Sequence, residues 1–293
     1  MVETWNLEMS EMRVVSACRE LYPLIEDYRK QGRSIGLVPT MGALHAGHLS
    51  LVERSLASVD HTFVSIFVNP TQFAADEDLD QYPRPLEQDL EKLRAAGVEC
   101  VFLPDAAEMY PVNCTTSIEP PRISRRWEGE SRPSHFGGVC TVVLKLFNLI
   151  PADVAFFGEK DYQQLAVIRQ MVDDLNVATR IEGCPIVREP DGLAMSSRNV
   201  YLGEADREIA LSLSRTLADV VEQVKQGETD SHLLMAEMRQ RLIDSGVSSV
   251  DYAVIADPAT LEVVEEVEDT VVVLLACQVG QVRLLDNCVI TPR

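Results

Sequence analysis

The sequence lacks the features that mark a secreted, membrane-spanning or redox-active protein. Its seven cysteines are scattered, and no two have the close spacing of a zinc or redox motif. We therefore expect reduced thiols in a cytoplasmic protein. No apolar run approaches the length of a transmembrane helix, and the N-terminus shows no cationic segment followed by an apolar core. We expect neither a membrane anchor nor a cleaved signal peptide.

Basic residues are also scarce. The 293-residue chain has 26 lysines and arginines against 46 acidic residues, which gives a net charge of −20. Broad binding to nucleic acid requires a cationic surface, so we expect no nucleic-acid partner. A site for an anionic ligand must then be a local cluster of positive groups. The length suits one large domain or two moderate ones.

Residues 35–50 combine a short apolar strand, a glycine-containing turn and the start of a helix. Gly42 and Gly47 flank the turn and allow a ligand to approach the backbone closely. This geometry directs backbone N–H groups and the helix dipole toward an anion. His45 and His48 stand where a phosphate would bind, and an imidazolium can stabilise the charge that develops on phosphate oxygens.

Two other interpretations of this histidine pair are open. A single histidine at a helix start is usually an ordinary polar residue. Two histidines three residues apart can also share a metal ion, but no third ligand of matching type follows nearby. The strand before the pair and the helix after it favour the phosphate interpretation.

A second β-rich segment, residues 62–68, is followed by a loop that carries Gln72. A strand, a helix and a strand in succession predict a parallel, right-handed crossover. Ligands of such sheets bind beyond the carboxyl ends of the strands, so Gln72 should lie near the histidine pair. Its amide both donates and accepts hydrogen bonds and can bind a hydroxyl and a carboxylate together. Away from such a crevice, it would be a solvated glutamine.

A further strand and turn repeat this arrangement at residues 154–161. Lys160, at the start of the next helix, is a compact cation that can neutralise phosphate charge. Gln164 follows four residues later and shares the same helix face. Outside such a turn, a lysine is usually only solvated.

Three other features carry candidate functional residues. Ser196, Ser197 and Arg198 supply two hydroxyls and a guanidinium that suit phosphate oxygens, although serines also commonly cap helices. Asp89 lies on a predicted helix, where an aspartate is usually solvated but can also hold magnesium through water. A local positive patch, which can equally balance neighbouring acids, comes from Arg122, Arg125, Arg126 and Arg132.

The order of predicted elements indicates an α/β protein with two parts. Helices and strands alternate at first, which predicts a doubly wound, Rossmann-like parallel sheet in a domain over residues 1–187. Two helices and then three strands predict a smaller C-terminal α+β domain over residues 188–293. Residues 105–135 are predicted to be irregular. The predicted helices are 10–31, a helix from 48 onward, 85–96, 139–150, 161–174, 204–226 and 230–244, and the predicted strands are 35–38, 62–68, 99–103, 154–157, 177–181, 250–256, 270–277 and 282–290.

Taken together, four motifs resemble the pantothenate synthetase (pantoate–β-alanine ligase) family. They occur in the family's order, and they are residues 39–48 (PTMGALHAGH), 67–73 (FVNPTQF), 156–164 (FFGEKDYQQ) and 195–198 (MSSR). One short motif is weak evidence, but the set is specific. The His-x-Gly-His signature also marks a wider nucleotidyltransferase superfamily, and the fourth motif resembles the counterpart of its second signature. Ala46 stands where the family often has an acidic residue.

This resemblance implies a reaction as well as a fold. The implied protein is a homodimer with a doubly wound N-terminal domain and a C-terminal lid. ATP and pantoate, with Mg²⁺, would first form pantoyl adenylate and pyrophosphate. The amine of β-alanine would then attack the acyl adenylate and give pantothenate and AMP.

The resemblance also implies roles for individual residues. The implied catalytic residues are His45, His48, Lys160 and Arg198, with His48 as a proton donor. Pantoate and β-alanine would bind Gln72 and Gln164, and Asp89 is the candidate for Mg²⁺ bound through water. The implied ATP site comprises Met41, Gly42, Ala43, Leu44, His45, Ala46, Gly47, His48, Gly158, Glu159, Lys160, Asp161, Val187, Met195, Ser196, Ser197 and Arg198.

Two other functions share part of this pattern. A nucleotidyltransferase acting on a phosphorylated substrate would carry the first signature, but it would not need Gln72 and Gln164 beside an uncharged diol and a carboxylate. A nucleotide-binding regulator without turnover would bind ATP and release no pyrophosphate when pantoate is added. The intact set of cationic residues favours the ligase.

Overall fold

A six-stranded parallel sheet forms the centre of the larger part of the molecule. The computed structural model describes residues 12–74 and 77–292. The strand order is β1-β4-β3-β2-β5-β6. The strands are β1 (Arg13–Val15), β2 (Ile35–Thr40), β3 (His61–Ile66), β4 (Cys100–Phe102), β5 (Val154–Gly158) and β6 (Arg180–Cys184). The order along the sheet reverses between β2 and β5, which creates a crevice at their carboxyl ends.

Helices cover both faces of this sheet. The helices of this part are α1 (Cys18–Lys30), α2 (Ala46–Leu56), α3 (Leu86–Ala96), α4 (Ala106–Met109), α5 (Glu128–Ser131), α6 (His135–Leu149) and α7 (Tyr162–Asp174). The helices α4 and α5 have four residues each and lie between β4 and α6 in the chain. Alternate residues of a strand point to opposite faces. Phe63 of β3 therefore joins a core with α1, α6 and α7, while Val64 joins a second core with α2 and α3. Burial on both faces explains why the sequences of the central strands are nearly continuous apolar runs.

The C-terminal part has its own sheet and its own core. Its helices are α8 (Glu204–Lys225) and α9 (Ser231–Asp244), and its antiparallel strands are β7 (Ser249–Ala256), β8 (Val271–Val279) and β9 (Val282–Ile290). One face of this sheet packs with α8 and α9. The other face brings Val254 and Leu274 against Trp127 and Tyr162 of the larger part. The predicted fold class is confirmed, and the boundary at residue 188 stays a prediction.

The sequence-based prediction was wrong at the start of the chain. The predicted helix over residues 10–31 is a short strand, β1, followed by a helix that begins at Cys18. Pairing with β4 stabilises this strand, and Val15 is buried against the core. Tertiary pairing of β-branched residues has therefore outweighed the helical pattern. Residues 10 and 11 lie outside the described part of the chain.

Several other predicted boundaries also differ from the structure. Helix α6 begins at His135, four residues before its predicted start, and β6 begins at Arg180 instead of residue 177. The region predicted as irregular contains the short helices α4 and α5. No helix in the described part of the chain is both long enough and apolar enough to span a membrane.

Helix α6 packs closely on the loop that follows β3, and a glycine permits this. A Cβ at Gly138 would lie 2.6 Å from the main-chain nitrogen of Gln72, which is closer than real Cβ contacts. The carbonyl oxygen of Gly138 accepts a hydrogen bond of 3.2 Å from the Asn69 amide. The absence of a side chain at this position therefore allows the loop to lie directly against the helix.

We expect Gly138→Ala to lower the free energy of unfolding by about 1–3 kcal/mol, because the added methyl group forces the backbone apart. The adjacent Gly137→Ala is the matched control, since its nearest neighbour would lie 3.6 Å away in ordinary contact. The control should be neutral or stabilised by up to about 1 kcal/mol through helix propensity. Urea denaturation of both variants measures the difference. Equal stabilities would show that the close approach is not required.

Candidate active site

A pocket lies beyond the carboxyl ends of β2, β3 and β5, in the crevice where the strand order reverses. It is lined by most of the residues that the sequence analysis predicted: Met41, His45, Gly47, His48, Gln72, Gly158, Lys160, Asp161, Gln164, Val187, Met195, Ser196, Ser197 and Arg198. Of the other predicted residues, Asp89 lies on α3, and the rest adjoin this lining in sequence: Gly42, Ala43, Leu44, Ala46 and Glu159. Residues far apart in sequence are therefore brought together by the parallel sheet.

The histidine pair begins helix α2, and each ring bonds to the backbone. His45 is the N-cap residue, and its Nδ1 accepts a hydrogen bond of 3.1 Å from the Gly47 N–H. The Nδ1 atom of His48 accepts from the His45 N–H at 3.4 Å. A ring nitrogen that accepts carries no proton, so each neutral imidazole keeps its proton on Nε2. The two ring centroids are 4.1 Å apart.

Both imidazoles are neutral at pH 7 in this structure. Burial and the neighbouring charges of Lys160 and Lys92 lower the pKa of His45 to about 4. Burial, followed by His45 and the same two lysines, lowers the pKa of His48 to about 3. The imidazolium form that the sequence-based interpretation placed beside a phosphate is therefore not the form of either ring in this structure. The rings act here as neutral N–H donors, and the permanent positive charge comes from the lysines.

The turn before the histidines is held by Asp89 of helix α3. Its carboxylate oxygens accept hydrogen bonds from the Ala43 N–H at 2.7 Å and the Leu44 N–H at 2.8 Å. Gly42 and Ala43 have φ angles of 81° and 50°, in the left-handed region that disfavours residues other than glycine. The Asp89 side chain is 1% exposed. Its carboxylate therefore anchors the turn, and a water-bridged magnesium role for Asp89 stays a prediction that this geometry does not favour.

Lys160 lies in the turn between β5 and α7 and lines the same pocket. The Nζ atom is 3.7 Å from a carboxylate oxygen of Asp161, and the side chain is partly buried. The main-chain carbonyls of Glu159 and Lys160 accept hydrogen bonds from Asn287 of β9. A strand of the C-terminal sheet thus contacts the turn that carries this cation.

Arg198 lies in the pocket but is already paired. Its Nε and Nη2 atoms each lie 2.9 Å from a carboxylate oxygen of Asp78, in a two-point contact. The guanidinium also lies 5.9 Å from the centre of the Tyr82 ring. Ser197 donates to the carbonyl of Ala43, which connects this loop to the histidine turn. Part of the positive charge predicted for this motif is therefore neutralised by Asp78.

Gln72 is buried at the edge of the pocket, and its orientation is determined by its neighbours. Its Oε1 atom accepts a 3.0 Å hydrogen bond from Asn69, and its Nε2 atom lies 3.3 Å from the Met41 sulfur. Its main-chain carbonyl contacts His135 at 3.0 Å and accepts from Arg132 at 3.2 Å. Burial lowers the pKa of His135 to about 4, so its ring is neutral.

The sequence analysis missed two parts of the lining. Asn69 is 1% exposed and lines the pocket directly after β3. The rule about carboxyl ends of strands, which indicated Gln72, applies equally to Asn69. The second missed part is an apolar wall from helix α6, which comprises Val139, Val142, Val143 and Leu146. Its apolar sequence predicted burial but not a ligand, because a core helix has the same pattern.

The predicted arginine patch mainly balances acidic residues. Arg132 pairs with Glu77 at 2.6 Å and with Glu128 at 3.3 Å. Arg125 pairs with Glu119, and Arg126 with Glu262 of the C-terminal part. These charges are compensated locally and do not form a broad cationic surface. Arg132 reaches the site through the Gln72 carbonyl.

The chain is similar over nearly its whole length to a family of known proteins. The family model for pantoate–β-alanine ligase matches residues 13–289. A pantothenate synthetase of Rhodopirellula baltica is 54% identical over 259 residues, which is 87% of this chain and 91% of that protein.

Solved structures give the same result. The pantothenate synthetase of Thermus thermophilus has a TM-score of 0.89 and 41% identity, over 94% of this chain and 99% of the other. A pantoate–β-alanine ligase of Francisella tularensis, complexed with beta-gamma ATP and β-alanine, has a TM-score of 0.80 and 36% identity, over 94% and 97%. The resemblance is confirmed, and the chain belongs to the pantothenate synthetase (pantoate–β-alanine ligase) family.

Proposed function

We propose that this enzyme condenses pantoate with β-alanine at the expense of ATP, through a pantoyl adenylate. The observation that carries the proposal is one pocket whose lining combines neutral imidazole donors and Lys160 with Gln72, Gln164 and an apolar wall. One half suits phosphates, and the other suits a small acid with hydroxyl and methyl groups. The Francisella tularensis relative complexed with beta-gamma ATP and β-alanine supports the same substrates here.

The phosphate half acts mainly by binding and charge stabilisation. Helix α2 begins at the pocket and directs its dipole toward the bound phosphates. His45 and His48 donate through Nε2, and the Lys160 ammonium neutralises charge that develops as pyrophosphate leaves. Because these imidazoles have lowered pKa values, they gain a proton only when the phosphates add negative charge nearby. His48 is then able to act as the proton donor.

The other half orients the nucleophile. Pantoate's own carboxylate attacks the α-phosphate, so no serine or cysteine nucleophile is required. Gln72 binds its polar groups, since the amide can donate to a carboxylate and accept from a hydroxyl. Gln164 lies on the helix that follows Lys160 and completes the binding set. The apolar wall of α6 packs the methyl groups and keeps water away from the adenylate.

The pocket residues fit a magnesium ion that arrives with ATP. Among residues 12–74 and 77–292, no group of three histidine, cysteine or acidic side chains is placed to hold a metal ion. Mg²⁺ commonly uses substrate phosphates, waters and one or two carboxylates. Asp161, which lines the pocket beside Lys160, would provide the carboxylate. When bound, the ion would neutralise phosphate charge during transfer.

Three further properties belong to the proposal. The loop that carries Ser196 and Arg198 follows residue 188 and forms one wall of the pocket, which supports a lid that protects the acyl adenylate from water. All seven cysteines are unpaired, which supports a cytoplasmic location. The family resemblance supports a homodimer, which sedimentation analysis would test.

Exchange of labelled pyrophosphate into ATP tests the function directly. We expect exchange with pantoate alone, because adenylation is reversible before β-alanine arrives, and we expect steady AMP release only after β-alanine is added. Exchange that requires β-alanine would exclude the two-step order. Binding of ATP without any pantoate-dependent exchange would instead indicate a regulator without turnover.

Gln72→Ala should weaken pantoate binding about tenfold and leave ATP affinity close to wild type. The substitution leaves polar groups of pantoate unpaired in a dry pocket, which costs about 1–3 kcal/mol. Calorimetric titration of each substrate separates the two effects, with the exposed Gln170 changed to alanine as the control. A larger loss of ATP affinity than of pantoate affinity would assign Gln72 to the nucleotide half.

Asp89→Asn distinguishes an anchoring carboxylate from a metal ligand. Asp89 accepts from two backbone N–H groups with its two carboxylate oxygens. An asparagine has one amide oxygen, which can accept from one of these groups, and its own NH2 group would then face the other. We therefore expect the KM for ATP to rise about tenfold, a loss of about 1–3 kcal/mol, at an unchanged Mg²⁺ requirement. Asp161→Asn is the matched control and should shift the Mg²⁺ concentration at half-maximal rate. A shift of that concentration in Asp89→Asn instead would assign the metal to Asp89.

A further inference from the structure

Strand β9 of the C-terminal sheet contacts the turn that carries Lys160 through a single amide. The Nδ2 atom of Asn287 lies 2.9 Å from the Glu159 carbonyl oxygen and 2.8 Å from the Lys160 carbonyl oxygen. Carbonyl oxygens only accept hydrogen bonds, so both N–H groups of the amide are used here. Asn287 is 4% exposed, so these bonds are shielded from bulk water.

Asn287 is itself held firmly in place. It pairs with Leu274 across the centre of the small sheet, between β8 and β9. The preceding residue, Asp286, forms a two-point ion pair with Arg188 at 2.6 and 3.0 Å and is 3% exposed. A carboxylate oxygen of Asp286 also accepts the Asn287 N–H at 2.8 Å. The position of the Asn287 amide is therefore fixed relative to the C-terminal sheet.

We propose that Asn287 is a positioning residue for Lys160, and that docking of the C-terminal sheet sets the place of this cation in the active site. The inference rests on the proposed function, in which Lys160 neutralises charge on the phosphates. A lysine side chain is long and flexible, so the position of its backbone determines which atoms the ammonium can reach. The Asn287 side chain donates its hydrogen bonds to the backbone of the turn and makes none to the Lys160 ammonium.

Other contacts between the two parts do not involve the Lys160 backbone carbonyls. Arg126 pairs with Glu262 at 2.7 Å, and the Trp127 indole donates to the Leu261 carbonyl at 2.9 Å. These contacts, with the apolar cluster around Trp127, are able to keep the sheet docked when the Asn287 amide is removed. Loss of the amide should therefore alter the position of Lys160, while the two parts of the molecule still pack together.

The test is a double-mutant cycle with pantoate-dependent pyrophosphate exchange as the readout. We expect Asn287→Ala to slow adenylation about 10- to 100-fold, since small misplacements of catalytic groups have effects of this size. In a Lys160→Ala background the same substitution should change the rate less than about twofold, because its effect acts through the lysine. Glu262→Gln, which removes a contact between the parts away from the turn, is the control and should keep the wild-type rate.

Additive losses in the cycle, or a wild-type rate in folded Asn287→Ala, would overturn the inference. If the alanine variant does not fold, Asn287→Ser supplies a smaller side chain with one donor, and the same cycle applies to it. If the wild type shows no pantoate-dependent exchange, the proposed function fails. The same double-mutant cycle is then repeated with ATP affinity, measured by calorimetry, as the readout. Coupling between Asn287 and Lys160 in that measurement supports the positioning role independently, and additivity excludes it.

Discussion

The active site depends on the carboxylate of Asp89, which holds the turn between β2 and α2. The turn places Gly42 and Ala43 in left-handed conformations, and such a backbone is stable only when its surroundings compensate for the strain. Two backbone N–H groups point inward and find one buried acceptor. With the turn held in this way, His45 can cap α2 and the ring of His48 can face the pocket.

The electrostatics of the site follow from burial in an acidic protein. Desolvation and two nearby lysines keep the imidazoles neutral, which reduces repulsion within the pocket before a ligand binds. Arg198 is paired with Asp78 in the same state. Lys160 likewise lies 3.7 Å from a carboxylate oxygen of Asp161. The cations of the site are thus partly balanced by carboxylates until phosphates arrive, so a highly anionic protein can hold an anion site without a broad cationic surface.

Much of the fold could be predicted because its strands are buried on both faces and its turns contain glycine. The carboxyl-end rule correctly indicated the pocket near Gln72, and it applies equally to Asn69, which lines the same pocket. Strand β1 was missed because three residues give too short a pattern, and pairing with β4 supplies its stability. The sequence could not distinguish the apolar wall of α6 from a helix that packs only in the core, since both have the same apolar composition.

The sequence by itself determined the family, most of the order of elements and the candidate side chains for a phosphate site, because these depend on residue types at short spacing. The tertiary structure alone decided the protonation of the histidines, since pKa values depend on burial and on lysines distant in sequence. It also decided that Asp89 anchors a turn 45 residues away from it. The contact of Asn287 with the Lys160 turn, 127 residues apart, likewise exists only once the two parts are docked. Such long-range hydrogen bonds leave no local pattern in a single sequence.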